Sequence, residues 1–139
     1  MFGFKKKPPL SDISDEILQR VYGILAFPRS NNDGVVPDSV IDSEYVIGFH
    51  MSLIATLYRE LSGDINFNNK QNWGLVQFDV FSKVFGLNED ELLQRILPII
   101  ENPSSEATRG RNDARDAYEM IQNNDDEAFF EFNRNIKHL

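Results

Sequence analysis

The sequence predicts an all-α fold: a single compact domain of about five to six helices around one central long helix. Three observations support this prediction. The apolar residues recur with the 3.6-residue period of a helix along most of the chain. Helix-capping residues precede these stretches, and glycine or proline follows them. The 139 residues are 41% hydrophobic and 26% charged, which suits one globular domain with its own core.

The first helix is predicted between about residues 12 and 26, where an apolar stripe has helical spacing. Ser11 or Asp12 precedes this stripe and is expected to act as the N-cap. The helix should end before Pro28, because proline has no amide hydrogen to donate and disturbs a helix interior.

The longest helix is predicted over about residues 39 to 62. Ser39 and Asp42 have the spacing of a capping box at its start, and Gly63 is expected to end it in a left-handed conformation. Its apolar residues cover more than half of the helix circumference. Such a helix packs on two sides, so we expect it at the centre of the domain.

Residues 73–85 fit two interpretations. Around Phe78 the apolar and polar residues alternate as in a strand, whereas the aromatic residues of the whole segment have helical spacing. We favour a helix, because a pattern sustained over a longer window carries more weight. The alternative is a short β-hairpin near residues 64–80.

Further helices are predicted in the C-terminal part of the chain. Asn88 is expected to cap a helix that Pro98 kinks or ends. A weakly amphipathic helix follows between about residues 105 and 122, with its first turns interrupted at Gly110. Residues 124–127 are expected to cap the last helix.

The composition excludes several function classes. The chain contains no cysteine, which rules out disulfide bonds, thiol catalysis and cysteine-ligated metal centres. The 22 acidic residues outnumber the 14 lysines and arginines and give a net charge of −8, which opposes binding to a nucleic-acid backbone. The most apolar stretch is too short to span a bilayer. We therefore predict a cytoplasmic protein that binds neither nucleic acid nor membranes directly.

The N-terminus has a charge opposite to that of the rest of the chain. Residues 1–10 contain three consecutive lysines and two prolines and are predicted to form a flexible basic tail. Three charges without a lipid anchor bind an anionic membrane only weakly. The helical domain is predicted to comprise residues 11–139.

Gly86 stands where a helix-turn-helix motif would place its turn. The helix after this turn would begin with Glu89, Asp90 and Glu91, although a recognition helix contacts DNA through its N-terminal residues. Three carboxylates at that position would be repelled by phosphate. An ordinary helical hairpin is therefore favoured.

His50 lies on the apolar stripe of the predicted central helix and is interpreted as a buried or half-buried structural histidine. The chain has no pair of histidines, or of glutamate and histidine, at the spacing of helix-borne metal ligands. Asp64 opens a segment that resembles the start of a calcium-binding loop, but the glycine and glutamate that set its geometry are absent. We predict no metal ion and no cofactor.

A cluster of three arginines, Arg109, Arg111 and Arg115, is a weak candidate anion-binding site. Arg111 and Arg115 are four residues apart, which places them on one helix face where they can clamp a phosphate or a carboxylate. The favoured alternative is that Arg109 pairs with Asp113 and that Arg115 pairs with Glu119, as on an ordinary solvated helix.

Two acidic clusters are the tentative partner-binding sites. Each of them begins a predicted helix, where negative charge is favoured by the helix dipole. A strongly negative domain also steers basic partners toward itself. The residues are Glu89, Asp90 and Glu91 in one cluster, and Asp125, Asp126 and Glu127 in the other.

The function predicted from these features is that of a small acidic, non-catalytic protein-binding module, an adaptor or an inhibitor of the immunity-protein type, whose partner has a basic surface. The alternative is a small helical enzyme that uses carboxylates and His50. Binding is favoured because no catalytic constellation occurs at a recognisable spacing.

Overall fold

The computed structural model describes residues 8–123 and 125–139, and these residues form one all-α domain. Most of the predicted basic tail, residues 1–7, lies outside the described residues, as does Asn124 of the last predicted cap. No strand occurs in the described residues, so the alternative of a β-hairpin near residues 64–80 is wrong, and the helix predicted over residues 73–85 is confirmed.

The helices vary widely in length. In the described part of the chain, six of them have seven residues or more, which agrees with the predicted number. A 3₁₀ turn, Tyr22–Leu25, joins the first two helices. The helices are α1 (Leu10–Val21), α2 (Ala26–Ser30), α3 (Asp38–Ile41), α4 (Glu44–Ser62), α5 (Lys70–Phe85), α6 (Glu89–Arg95), α7 (Leu97–Glu101), α8 (Ser105–Gln122) and α9 (Glu127–Ile136).

The packing of α4 against α8 forms the centre of the domain, and α4 also contacts α1, α5 and α7. The two helices run antiparallel, since Gly48 of α4 faces Ala107 while Gly110, further along α8, faces Tyr45. Their backbones touch: a Cβ atom on Gly48 or on Gly110 would overlap a backbone carbonyl of the opposite helix. The prediction of a central long helix is therefore confirmed.

Gly110 does not interrupt α8, contrary to the prediction. The helix is continuous from Ser105 to Gln122, and Gly110 is buried within it. Glycine destabilises an isolated helix by about 1 kcal/mol relative to alanine. Here the missing side chain allows the two backbones to approach, and the packing gained by that approach favours the helical conformation.

The long helix predicted over residues 39–62 is divided into α3 and α4 by a break at Asp42 and Ser43. Ser39 is not the N-cap, because it lies inside α3, where its hydroxyl donates to the carbonyl of Leu139. Ser43 has an extended backbone and its hydroxyl accepts the amide hydrogen of Val46, so it caps α4.

The first helix also differs from the prediction at both ends. α1 begins at Leu10 and ends at Val21, where the chain tightens into the 3₁₀ turn. Pro28 lies within α2 and does not stop it, because it is the third residue of that helix. Amides in the first turn of a helix have no partner inside the helix, so a proline there removes no hydrogen bond.

Four of the predicted helix boundaries are confirmed, whereas the caps predicted at Ser11 or Asp12 and at Ser39 are wrong, because Pro9 and Pro37 precede α1 and α3. Gly63 and Gly86 both have left-handed backbones and end α4 and α5. Asn88 and Glu91 form a capping box at the start of α6. Pro98 separates α6 from α7 and stands in the first turn of α7. None of the helices in residues 8–123 and 125–139 is long and apolar enough to cross a membrane.

Candidate functional site

The acidic cluster at the start of α6 has two free carboxylates and one that supports the helix. Glu89 and Asp90 are exposed, and no lysine or arginine of the described residues lies within 4 Å of either. The carboxylate of Glu91 accepts the backbone amide hydrogen of Asn88 and thus takes part in the capping box. Glu89 and Asp90 are therefore the residues of this cluster that are available to a partner.

The acidic cluster at the start of α9 is more strongly engaged in the structure around it. The carboxylate of Asp125 accepts the amide hydrogen of Glu127. The carboxylate of Glu127 forms an ion pair with Arg134 at 3.2 Å. Asp125 and Asp126 border a cleft of about 470 Å³, whose other wall includes Arg20 of α1.

An apolar groove of about 210 Å³ lies between α5 and the pair α6–α7, and we call it the α5–α7 groove. Phe78, Leu93 and Leu97 form its exposed rim, with 36%, 44% and 37% of their surfaces accessible. Glu89 is one helical turn before Leu93 and on the same face of α6. The acidic start of α6 therefore lies one turn from the rim of the groove, although its carboxylates do not line the groove.

A second cavity, of about 560 Å³, lies beside the packed helices α4 and α8, and we call it the arginine pocket. Arg111 and Arg115 line it from α8, and Arg59 lines it from α4. The structure thus brings together two of the three arginines that the sequence singled out. It adds a third, Arg59, which is 52 positions before Arg111 in the chain.

Arg109 lies outside this pocket. Its guanidinium group stands over the ring of Tyr45, with the Cζ atom 4.2 Å from the ring centroid, and it pairs with Glu106 at 3.0 Å. The expected pair with Asp113 does not form within 4 Å, and Asp113 instead accepts the hydroxyl hydrogen of Tyr45 at 2.7 Å. The ion pairs of the described residues do not include Arg115 with Glu119 either.

Aromatic side chains form another wall of the arginine pocket. Phe67 and Trp73 line it with their ring centroids 5.0 Å apart, and Tyr118 lines it from α8. The ring of Tyr58 supports this wall from behind, at 5.0 Å from Trp73 and 6.0 Å from Phe67. The sequence analysis did not identify these residues as part of a site. One sequence pattern did point to this pocket, because the spacing of Arg111, Arg115 and Tyr118 places all three on one face of a helix.

His50 is completely buried, which confirms the prediction of a buried histidine. Its Nδ1 atom is 2.8 Å from the carbonyl oxygen of Val46, and its ring packs edge-on against Phe49, Phe85 and Phe132. Burial lowers the pKa of His50 to about 4, so the side chain is neutral at pH 7. A substrate would reach this histidine only if the core opened.

The carboxylate of Asp64 organises a loop. It accepts the amide hydrogens of Asn68 and Asn69 at 2.8 and 2.9 Å, and Asn69 in turn caps α5. Among the residues that the structure describes, no group of three or more histidines, aspartates or glutamates is arranged to hold a metal ion.

The chain was also compared with known proteins in three ways. No protein-family model, no curated protein and no solved structure matches it.

Proposed function

We propose that the protein is a small acidic, non-catalytic binding module, of the adaptor or inhibitor type, which holds a basic amphipathic helix of a partner protein in the α5–α7 groove. The observation that carries this proposal is the exposed apolar rim of that groove directly beside the acidic start of α6. The proposal includes a cytoplasmic location, which the cysteine-free composition suits.

The apolar part of the proposed site consists of three large side chains. Phe78, Leu93 and Leu97 expose carbon surface to solvent along two adjacent helices, and Phe81 and Leu92 form the buried floor beneath them. Apolar side chains at the i, i+3, i+4 and i+7 positions of a partner helix fit a groove of this kind. Burial of this surface would supply the affinity.

The acidic part of the proposed site decides which partner helix is accepted. Glu89 and Asp90 lie at the N-terminal end of α6, within one turn of Leu93. Lysine or arginine on a partner helix would pair with these carboxylates while its apolar face occupies the groove. The net charge of −8 would accelerate the approach of a basic partner and slow that of an acidic one.

A titration with a synthetic helical peptide of leucines and lysines tests the proposal, with binding mapped by amide chemical shifts. We expect shifts concentrated on α5, α6 and α7, and a binding constant that falls when Leu93 is changed to Ser. The double variant E89Q/D90N should bind more weakly, mainly through a slower association that depends less on salt than that of the parent.

The matched control is D125N/D126N, which removes the same two charges from the start of α9. If both double variants lose the same affinity, or if the peptide shifts map elsewhere, the peptide is attracted by net charge alone and the proposal is wrong. A peptide with glutamate in place of lysine should not bind. We do not propose the enzymatic alternative, because His50 is enclosed by the core.

A further inference from the structure

We propose that the arginine pocket binds a small phosphorylated ligand with an aromatic ring, of the nucleoside monophosphate class. This pocket adjoins the α5–α7 groove, with which it shares Gln77 and Ile100, but the proposal does not depend on the function proposed for the groove. Arg59, Arg111 and Arg115 would hold the phosphate, and the aromatic wall formed by Phe67, Trp73 and Tyr118 would stack on the base.

The lysines and arginines of the described residues differ in whether they have a carboxylate nearby. Among the described residues, five lysines and arginines have a carboxylate within 4 Å, as is natural in a chain with 22 acids. The other six described lysines and arginines have none, and three of these six, Arg59, Arg111 and Arg115, line one cavity. Like charges four residues apart on a helix destabilise each other, and a bound anion removes this repulsion. Arginine is well suited to this role, because its guanidinium group donates two parallel hydrogen bonds to phosphate.

The aromatic wall of the arginine pocket contains an unusual backbone conformation at Phe67. Phe67 has a positive φ of 54°, a left-handed conformation that bulky side chains rarely adopt. The hydrogen bonds from Asn68 and Asn69 to Asp64 hold the loop in this shape. The ring of Phe67 then faces Trp73 on one side, and the guanidinium of Arg59 lies 5.5 Å from its centroid. Strained backbone of this kind is concentrated at ligand sites.

The size and the polar lining of the arginine pocket suit a nucleotide. A volume of about 560 Å³ is within the range of cavities that hold small organic ligands. Ser52 and Gln77 also line the pocket, and their side chains make no hydrogen bond to the described residues, so they are available to the edge of a base or to a ribose hydroxyl. These polar groups favour a nucleotide over a simple aryl phosphate.

The charge of the whole protein limits the length of the ligand. The pocket is a local positive site in a chain of net charge −8. A single nucleotide places its phosphate among the arginines, whereas the many phosphates of a nucleic-acid strand would be repelled by the net negative charge of the chain. We therefore infer a mononucleotide and not an oligonucleotide.

The fluorescence of Trp73 provides the test, because Trp73 is the only tryptophan of the chain and lines the pocket. The probes are the monophosphates of adenosine, guanosine and uridine, with adenosine and inorganic phosphate as the separate halves of a nucleotide. We expect saturable quenching by at least one monophosphate, with a dissociation constant about tenfold or more below that of either half. The variant R111Q/R115Q should weaken this binding by about tenfold or more.

The control variant is R109Q. It removes an arginine that lies on the same helix as Arg111 and Arg115 but outside the pocket, so it should bind the nucleotide as the parent does. Circular dichroism establishes that each variant remains helical. The proposal is overturned if no monophosphate quenches Trp73 at millimolar concentration, or if inorganic phosphate binds as tightly as the nucleotides. Tighter binding of a single-stranded oligonucleotide, or of a phosphotyrosine peptide, would also overturn it.

Discussion

Gly110 of α8 lies directly against the carbonyl oxygen of Tyr45 in α4, and a Cβ atom at this position would overlap that oxygen. The contact joins two helices whose residues are far apart in the sequence. Gly48 makes the reciprocal approach, with the backbone of Ala107 in the place where its Cβ would be. The separation of α4 and α8, the two helices that carry the three arginines of the pocket, depends on these two glycines.

Replacing Gly110 with alanine should therefore destabilise the protein, although alanine is the better helix former. We expect the free energy of unfolding to fall by at least about 2 kcal/mol, because the new methyl group forces the two backbones apart. Gly74→Ala is the matched control, since a Cβ on Gly74 of α5 meets open space. That change should stabilise the protein by up to about 1 kcal/mol. Urea denaturation measures both, and equal effects would contradict the close packing of α4 and α8.

The break between α3 and α4 can be tested at its two serines. Ser43→Ala removes the hydroxyl that accepts the amide hydrogen of Val46, and should lower the free energy of unfolding by about 1 kcal/mol. Ser39→Ala removes only an exposed hydrogen bond to Leu139 and should change it by less than about 0.5 kcal/mol. Thermal unfolding of both variants provides the measurement. The reverse order would mean that one continuous helix begins at Ser39.

His50 should make the protein less stable in mild acid. Its pKa is about 4 in the folded protein and near 6.5 in the unfolded chain, so the unfolded state binds more protons between these two values. The free energy of unfolding should therefore fall as the pH is lowered from about 6.5 to 4, by up to about 3 kcal/mol, and the histidine contributes no further loss below that range.

The variants His50→Leu and His50→Phe isolate this effect, because they retain every carboxylate that also titrates in acid. Each should lose less stability than the parent between pH 6.5 and pH 4, when urea denaturation is measured at both pH values. Two variants are used because either side chain can disturb the packing against Phe85 and Phe132. Parallel pH profiles for the parent and both variants would show that His50 is charged in the folded state.

Duplex DNA should not be retained by the protein at about 150 mM salt, because a net charge of −8 opposes binding to the phosphate backbone. The arginine pocket is too local to contact several phosphates along a duplex. A gel-shift titration at low and moderate salt measures the binding of duplex DNA. A micromolar shift that disappears in R111Q/R115Q would show that these arginines contact a nucleic-acid backbone.

The sequence predicted the features that depend on neighbours in the chain. Gly63, Gly86 and Asn88 mark helix ends because left-handed glycine and capping asparagine act on backbone groups within one turn. The burial of His50 was also predictable, since helical periodicity alone places it on the apolar face of α4. The central position of α4 follows from the same periodicity, although its start at Glu44 does not.

Contacts between distant residues could not be predicted in this way. Ser39 and Ser43 both have the chemistry of an N-cap, and only the tertiary packing around α3 decides that Ser43 caps the long helix. By propensity Gly110 is a helix breaker, but it becomes a packing residue once Tyr45 lies against it. The helix propensity of one residue changes the free energy of folding by about 1 kcal/mol, and the close packing of two helices changes it by more.

The candidate sites show the same division. The sequence by itself determined an acidic all-α domain, the charges at the start of α6 and the common helix face of Arg111 and Arg115, because these properties follow from composition and from spacings of three or four residues. Only the tertiary structure decided that Arg59 and Trp73 join those arginines in one pocket, while Arg109 turns away to Tyr45. Which arginines line the pocket depends on how α4, α5 and α8 pack, and this packing is set by contacts between residues tens of positions apart.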